Sequence, residues 1–232
     1  MRSVSRRPSR TLLRALSLVV AQGLGVLAAT ATLLASVPAR AEGTTEPSYG
    51  RVEGDVTVVV GAGAAFASGG PRAAAELRAR YLETAGLFAT YEDAALVGSS
   101  ADPRRMLAVG LELRPLFLYR WLDGHESHRA RWDLMLDSFG LELGMIWSAS
   151  PSPGDGFASH PGIEAGVGLE LPIMPDATGL WLALHGGIRW SDDALASGPV
   201  HPSDREAYLA VTLAWHQVVS THLVDIGDQA PR

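Results

Sequence analysis

Two histidines lie close together in the segment His125-Glu126-Ser127-His128, where both imidazoles could approach one metal ion. The spacing differs from the H-E-x-x-H pattern of helical zinc sites, and the neighbouring residues predict a turn. The alternative is a polar turn that faces solvent. We favour this alternative and predict no metal site in the segment.

His185 and His216 are the residues best placed to act as a general base. His185 shares the polar face of one predicted strand with Arg189, and Glu164 and Glu170 occupy the polar face of another. An imidazole beside an acid and a hydroxyl is the arrangement of many hydrolases and acyl transferases. The sequence has no G-x-S-x-G motif and no asparagine, which excludes two forms of the triad. The alternative, which we favour, is a network of charged side chains that fills the interior of a closed sheet.

An acidic segment, Ser191-Asp192-Asp193 together with Asp204, could bind a divalent cation through carboxylate oxygens. Its spacing matches no EF-hand, and a solvated acidic loop is the alternative that we favour. The glycine clusters Gly61-Ala62-Gly63 and Gly186-Gly187 do not open a helix after a strand, so they do not predict a phosphate-binding loop. We therefore predict no catalytic residue, no cofactor-binding residue and no metal ligand.

The composition excludes several classes of function. The chain has 232 residues and no cysteine, so disulfides, thiolate metal sites and a cysteine nucleophile are ruled out. Its 19 basic and 25 acidic residues give a net charge of −6. Six arginines and no acidic residue lie in the first 41 positions, so the remainder carries a net charge of −12. Such a charge argues against a nucleic-acid-binding protein.

The N-terminal segment has the order of an export signal. Basic residues precede an apolar stretch from Ala15 to Val37, and Ala39-Arg40-Ala41 follows it. This order predicts a signal peptide over residues 1–41, cleaved after Ala41. The apolar stretch is longer than usual, so the alternative is an uncleaved membrane-anchoring helix. Residues 42–51 then form a short N-terminal lead.

The rest of the chain alternates apolar residues with polar or small ones, and this period of two predicts β-strands. No stretch after residue 42 shows a convincing helical period. A phase slip at 137–139, inside one run, predicts a β-bulge. The alternating runs are Asp55–Phe66, Ala73–Tyr91, Met106–Trp121, Arg131–Trp147, Gly162–Ile173, Leu180–Trp190 and Glu206–Trp215.

Three features of these runs favour a membrane-spanning barrel over a soluble one. Most runs reach the length of about 9–11 residues that crosses a bilayer, whereas soluble strands average about 5–6. The polar face mixes charges of both signs with glycine and alanine, which suits a crowded interior. The tryptophans lie at or near the ends of the runs, where an amphipathic ring meets lipid headgroups. They are Trp121, Trp132, Trp147, Trp181, Trp190 and Trp215.

Seven runs are clear, whereas bacterial barrels usually have an even number of strands. Splitting Ala73–Tyr91 near Glu83-Thr84 gives eight, although the alternation stays in phase there and a two-residue turn would reverse it. The alternative source of an eighth strand is Val218–Ile226. With the split, the short turns lie at one end of the barrel. The long segments 97–103, 148–161 and 191–203 lie at the other end.

The predicted fold is all-β: a closed, antiparallel transmembrane β-barrel of eight strands after an N-terminal signal peptide. The barrel covers residues 52–217, and residues 218–232 form a tail or a final short strand. With these features the chain resembles small outer-membrane β-barrels of the OmpA and OmpX type. The resemblance rests on the leader, on runs such as Val56–Phe66 and Gly162–Ile173, and on the tryptophans. Such barrels commonly end on an aromatic residue, whereas 17 residues follow Trp215.

The resemblance implies a monomer in the outer membrane of a Gram-negative bacterium, in contact with lipid. We expect a non-enzymatic protein of structural or interaction type, with an interior filled by Arg, Glu, Asp and His side chains, and no cofactor. One alternative is a lipid-active outer-membrane enzyme that uses His185 or His216. Another is a secreted soluble β-barrel that binds an apolar ligand, with Leu107, Leu111 and Phe117 turned inward.

Overall fold

A computed structural model describes residues 49–51, 54–125, 127, 129–149, 156–195 and 204–221. The predicted signal peptide over residues 1–41 and the predicted tail beyond residue 221 lie outside the described residues. So do Glu126 and His128. Among the residues described, no helix combines the length and the apolar character needed to cross a membrane.

Eight antiparallel strands form a closed barrel in which each strand pairs with its neighbours in the sequence and β8 pairs with β1. This confirms the predicted all-β closed barrel and its strand number. The strands are β1 Val56–Ala67, β2 Gly70–Tyr81, β3 Ala85–Asp93, β4 Arg105–Leu113, β5 Gly140–Ala149, β6 Gly162–Pro172, β7 Gly179–Trp190 and β8 Arg205–Val219.

The period of two places charged residues inside the barrel and apolar residues outside it. On β2, Arg78 is buried whereas the neighbouring Leu77 is 53% exposed. Glycines on the inner face make room for large side chains. A Cβ atom on Gly110 or Gly144 would lie 2.7 or 2.9 Å from the ring of Phe88, which extends from β3 over both glycines. The inner face therefore alternates large and small residues across neighbouring strands.

The long run Ala73–Tyr91 is two strands, β2 and β3, as the split predicted. A three-residue turn joins them, and its residues Leu82 and Glu83 have φ angles of 47° and 54°. Tyr81 pairs with Ala85 across the turn. An odd number of turn residues preserves the parity of the alternation, which explains why the sequence stays in phase through the turn.

Two predicted strands are wrong in part, because each contains a helix. The run Met106–Trp121 is β4 followed by helix α1, Pro115–Leu122, and Pro115 occupies the first helical position where proline is favoured. The run Arg131–Trp147 is helix α2, Ala130–Asp137, followed by β5. The phase slip near 137–139 is therefore a boundary between a helix and a strand and not a β-bulge.

The two ends of the barrel differ. The long connections after β3, β5 and β7 all leave from one end, here called the loop end, and the last of them contains the short helix α3, Asp192–Leu195. The opposite end, here called the base, holds the β2–β3 turn, the β6–β7 turn and the pair α1–α2. The prediction of only short turns at the base is thus wrong, because residues 114–139 form this helical connection.

The tryptophans also depart from a simple arrangement at strand ends. Trp147, Trp190 and Trp215 lie on the outward positions of β5, β7 and β8. Trp132 belongs to α2, where its side chain is exposed. Trp181 is the third residue of β7, and its side chain points inward and is buried. Trp121 belongs to α1.

Candidate functional site

The candidate site is the charged interior of the barrel, and its first layer lies near the loop end. Arg72 extends from β2 to Glu206 on β8, with 3.3 Å between Nη2 and Oε1, and lies 3.6 Å from Glu92 on β3. Arg189 on β7 donates to Glu92 at 2.7 Å and to Glu164 on β6 at 2.8 Å. These two arginines connect β2, β3, β6, β7 and β8 through buried ion pairs.

The middle layer is centred on Arg78. Its guanidinium donates to Glu76 at 2.9 Å, to Glu112 at 3.0 Å and to Glu142 at 2.6 Å. Nη2 of Arg78 also lies 3.1 Å from Nδ1 of His185. One side chain on β2 thus contacts residues of β4, β5 and β7, and crosses the interior to do so.

A third layer lies toward the base. Arg80 donates to Glu112 at 3.1 Å and to Glu170 at 2.5 Å. Arg114, directly after β4, donates to Glu112 at 2.8 Å, to Glu83 in the β2–β3 turn at 3.1 Å, and to Glu170 on β6. Glu170 therefore receives two guanidiniums and Glu112 receives three, since Arg78 also donates to it, so that β2, β4 and β6 are joined near the base.

Across the described residues, carboxylates outnumber guanidiniums in the interior. Five buried arginines face eight buried glutamates, and two buried histidines accompany them. The remaining space is small: the cavity beside Arg78 and Glu164 measures about 20 Å³, and one beside Arg114 and His216 about 10 Å³. A buried water molecule needs a cavity of roughly 10–15 Å³, so each of these two cavities has room for one or two waters at most.

His185 and His216, the predicted candidates for a general base, both lie beside acids inside the barrel. Nδ1 of His185 lies 2.8 Å from Oε1 of Glu142. His216 stacks on Trp181 with 4.5 Å between ring centroids, and its Nε2 lies 3.5 Å from Glu170. In the described part of the chain, neither imidazole is hydrogen-bonded to a serine or threonine hydroxyl. The geometry therefore supports the predicted charged network and assembles no nucleophile beside either ring.

The other candidates lie apart from this network. His125 is exposed after α1, with 3.9 Å between its Nδ1 and the carboxylate of Asp123. Asp192 and Asp193 form the first turn of α3, and the Ser191 hydroxyl accepts a hydrogen bond from Ala194. Among the described residues, no group of three or more His, Asp or Glu side chains is arranged to hold a metal ion.

A second polar cluster, which the sequence did not predict, secures the helices at the base. The carboxylate of Asp133 on α2 accepts hydrogen bonds from Arg120 at 2.5 Å, from the Ser127 N–H at 2.9 Å and from the Tyr49 hydroxyl at 3.0 Å. Asp137, one helical turn later, accepts from Arg120 at 2.7 Å and from Arg51. Asp133 and Asp137 are four residues apart, a spacing that places both on one face of a helix. The sequence could have predicted the cluster from this spacing, but the segment was interpreted as a strand.

The ionisation of this second cluster follows from its contacts. Burial raises the pKa of Asp133, but the hydrogen bonds from Ser127, Arg120 and Tyr49 outweigh it and leave the pKa below its ordinary value. Burial lowers the pKa of Arg120, but both aspartates outweigh it and leave that pKa above its ordinary value. The cluster is therefore stable as a set of ion pairs.

Ser138 completes the base by covering an open strand edge. β5 begins at Gly140, opposite Gly168 of β6, so the rest of β6 has no β5 partner. The Ser138 hydroxyl accepts a hydrogen bond from the Glu170 N–H at 2.8 Å and lies 2.8 Å from the Glu170 carbonyl oxygen. The hydroxyl thus gives the Glu170 N–H the acceptor that the shorter β5 does not supply. Its single hydrogen is shared between the carbonyl oxygens of Glu170 and Met135, the latter at 2.6 Å.

The site as a whole is a buried electrostatic core with a helical closure at one end. Its ion pairs connect strands that are distant in the sequence, and such pairs resist separation because each would leave an unpaired buried charge. This arrangement can stabilise and seal a barrel. No protein-family model matches the chain, and no curated protein sequence matches it.

Proposed function

We propose that the chain is an outer-membrane β-barrel protein of structural or interaction type, without enzymatic activity. The observation that carries the proposal is the distribution of side chains, with charges inside and large apolar residues outside. Leu111 and Leu143, on the outer face of neighbouring strands, are 63% and 60% exposed. Similar outward positions include Leu77, Leu87, Val109, Met145, Val167, Ile188 and Leu209.

A lipid bilayer gives this distribution a physical explanation. Soluble monomers rarely expose contiguous apolar patches above a few hundred Å². Here the apolar surface extends over successive strands, which is favourable in hydrocarbon and unfavourable in water. A closed barrel also gives every strand a partner on both sides, as the bilayer interior demands, and at the base Ser138 covers the end of β6 that extends past β5. Both arguments support a membrane location, and the predicted export signal over residues 1–41 agrees with it.

The filled interior supports a structural or interaction role. Cavities of about 20 and 10 Å³ are too small for solute passage. The interior of the described residues is charged and not apolar, so it does not supply the cavity that an apolar ligand needs. Leu111 points outward, and Phe117 is buried against the base from α1, so the inward arrangement required by a soluble barrel is not formed.

The proposal is tested by a substitution whose effect differs between water and lipid. Leu143→Arg adds a charge to the outer face near the middle of β5. In a bilayer we expect a loss of roughly 2–4 kcal/mol in unfolding free energy. On a water-exposed surface the same change stays within about 0.5 kcal/mol. The measurement is urea unfolding of the barrel refolded into phospholipid vesicles.

Ser220→Arg is the matched control, because Ser220 is exposed just beyond the end of β8. Its unfolding free energy should equal that of the unmodified chain. Cell fractionation provides the parallel readout: the full chain should enter the detergent-extracted outer membrane and change its gel mobility on heating. Recovery as a free periplasmic protein, together with an innocuous Leu143→Arg, would contradict the proposal.

A further inference from the structure

The outer face of the helical pair α1–α2 is apolar and uncovered. Leu122 and Tyr119 on α1 are 69% and 62% exposed, and Trp132 on α2 is 56% exposed. Leu118 and Leu136 are exposed on the same helices. We call these five side chains the base patch.

The opposite face of the same helices packs against the base of the barrel. The Arg51 guanidinium lies over the ring of Phe117, with 4.6 Å between Cζ and the ring centroid. Leu134 packs with Ala177 and Trp181. Asp133 and Asp137 face the polar cluster described above. The helices therefore have an ordinary amphipathic division, with one face buried in the base and the other presented outward.

The base patch is continuous with the apolar wall of the barrel. α1 follows β4 directly, and the exposed Leu111 and Leu113 of that strand lead to the exposed Leu118. α2 lies against the β6–β7 turn, where Arg131 donates to the Ile173 carbonyl oxygen at 3.1 Å. Ile173 and its neighbour Met174 are also exposed.

We propose that the base patch inserts into the interfacial layer of the bilayer leaflet at the base, so that the helices anchor the barrel to a lipid surface. This inference rests on the proposed membrane location. Leucine with tyrosine and tryptophan on one helical face is the composition of interfacial helices. The exposed Arg129 and Arg131 suit the phosphates of lipid headgroups, whereas Asp133 and Asp137 are buried. Among the described residues at this end, Asp123 in the turn after α1 and Asp176 in the β6–β7 turn are exposed acids.

The lengths of the strands also favour contact between lipid and these helices. β3 and β4 have nine residues and β5 has ten, whereas β8 has fifteen. At about 3.3 Å per residue and a tilt of about 40°, nine residues span about 23 Å, slightly less than the usual apolar band of about 25 Å. α1 and α2 extend the apolar surface on this side of the barrel, where the wall is shortest.

The absence of cysteine allows a direct test with single labelled positions. Leu122→Cys and Trp132→Cys carry an environment-sensitive fluorophore on the base patch. Leu143→Cys reports on the wall, and Ser220→Cys is an aqueous control at the same end of the barrel. Each variant is refolded into vesicles of phosphatidylethanolamine and phosphatidylglycerol, with nitroxide lipids that quench at shallow or deep positions. Heat-dependent gel mobility verifies that each variant is folded.

We expect the shallow nitroxide to quench both base-patch probes at least about twofold more than the Ser220 control, since interfacial helices lie roughly 5–10 Å deep. The wall probe should be quenched most by the deep nitroxide. If the wall probe is quenched but the base-patch probes behave like the aqueous control, the inference is overturned and the membrane location stands. If no probe is quenched by either lipid, the membrane location itself fails.

Discussion

Arg78 offers the sharpest test of the charged interior, because one side chain contacts four groups from four strands. Replacement by methionine preserves much of the volume and removes the guanidinium. Glu76, Glu112 and Glu142 then lose a buried cation at 2.9, 3.0 and 2.6 Å. The barrel remains closed by its backbone pairing, so the substitution tests the ion pairs and not the topology.

The expected magnitude follows from the contacts that survive. Glu112 retains Arg80 and Arg114, and Glu142 retains His185 at 2.8 Å. Simple addition of three charged hydrogen bonds would therefore overestimate the loss. Removing one partner from a buried pair typically costs about 3–5 kcal/mol, and we expect Arg78→Met to lower the unfolding free energy by that amount. The unfolding free energy of Arg78→Lys should lie between those of the unmodified chain and of Arg78→Met, because lysine retains the charge but lacks the planar guanidinium.

The assay is urea unfolding of vesicle-embedded protein, followed by tryptophan fluorescence and by gel mobility. Arg205→Met is the control, since Arg205 is exposed at the start of β8, and its effect should stay within about 0.5 kcal/mol. The double variant Arg78→Met with Glu142→Met should lose less than the sum of the single losses, with a coupling of about 0.5–3 kcal/mol. A loss below about 1 kcal/mol for Arg78→Met, or strict additivity of the pair, would refute the reasoning.

Two further predictions concern the base. Ser138→Ala leaves the Glu170 N–H without its acceptor and should cost about 1–3 kcal/mol, with faster amide exchange at Glu170, whereas Ser220→Ala should change neither. The depressed pKa of Asp133 contributes stability above the ordinary aspartate value of about 3.9, and that stability is lost as the pH falls through the folded pKa. The unfolding free energy of Asp133→Asn should therefore differ most from that of the unmodified chain above about pH 5, and the gap should narrow below pH 4. A gap independent of pH would contradict the role of this carboxylate.

The alternation of residue types predicted the strands, and the composition of the polar face predicted which side of them points inward. A strand exposes successive side chains to opposite sides, so period two separates the two faces. The mixture of charges with glycine and alanine then placed the polar face in the interior. The division of Ala73–Tyr91 near Glu83-Thr84 came instead from the even strand number of bacterial barrels, because the alternation stays in phase there and argued against a two-residue turn. The alternation also placed His185 and His216 on the inner face, where they lie.

The alternation did not reveal helices α1 and α2, because each has only eight residues. Over that length, Pro115, Phe117 and Tyr119 of α1 continue the alternation of β4, so the pattern indicates one long strand. Pro115 was the discriminating residue, since proline removes a ladder donor from a strand but suits the first position of a helix. The pairing of particular arginines and glutamates could not be predicted, because it depends on the stagger of all eight strands.

The charged interior also explains how a barrel with an apolar exterior specifies its own closure. In the proposed membrane location, lipid tails are as apolar as leucine, so outward leucines gain little from contact with one another and do not distinguish one strand register from another. Arg78 and Arg80 do distinguish one register from another, because a slip of one residue would turn both onto the apolar outer face. A slip of two residues would separate Arg78 from Glu142 and leave both buried and unpaired. The buried ion pairs thus select a single strand register. The helices α1 and α2, together with Ser138, close the base, where the shorter strands leave the wall incomplete.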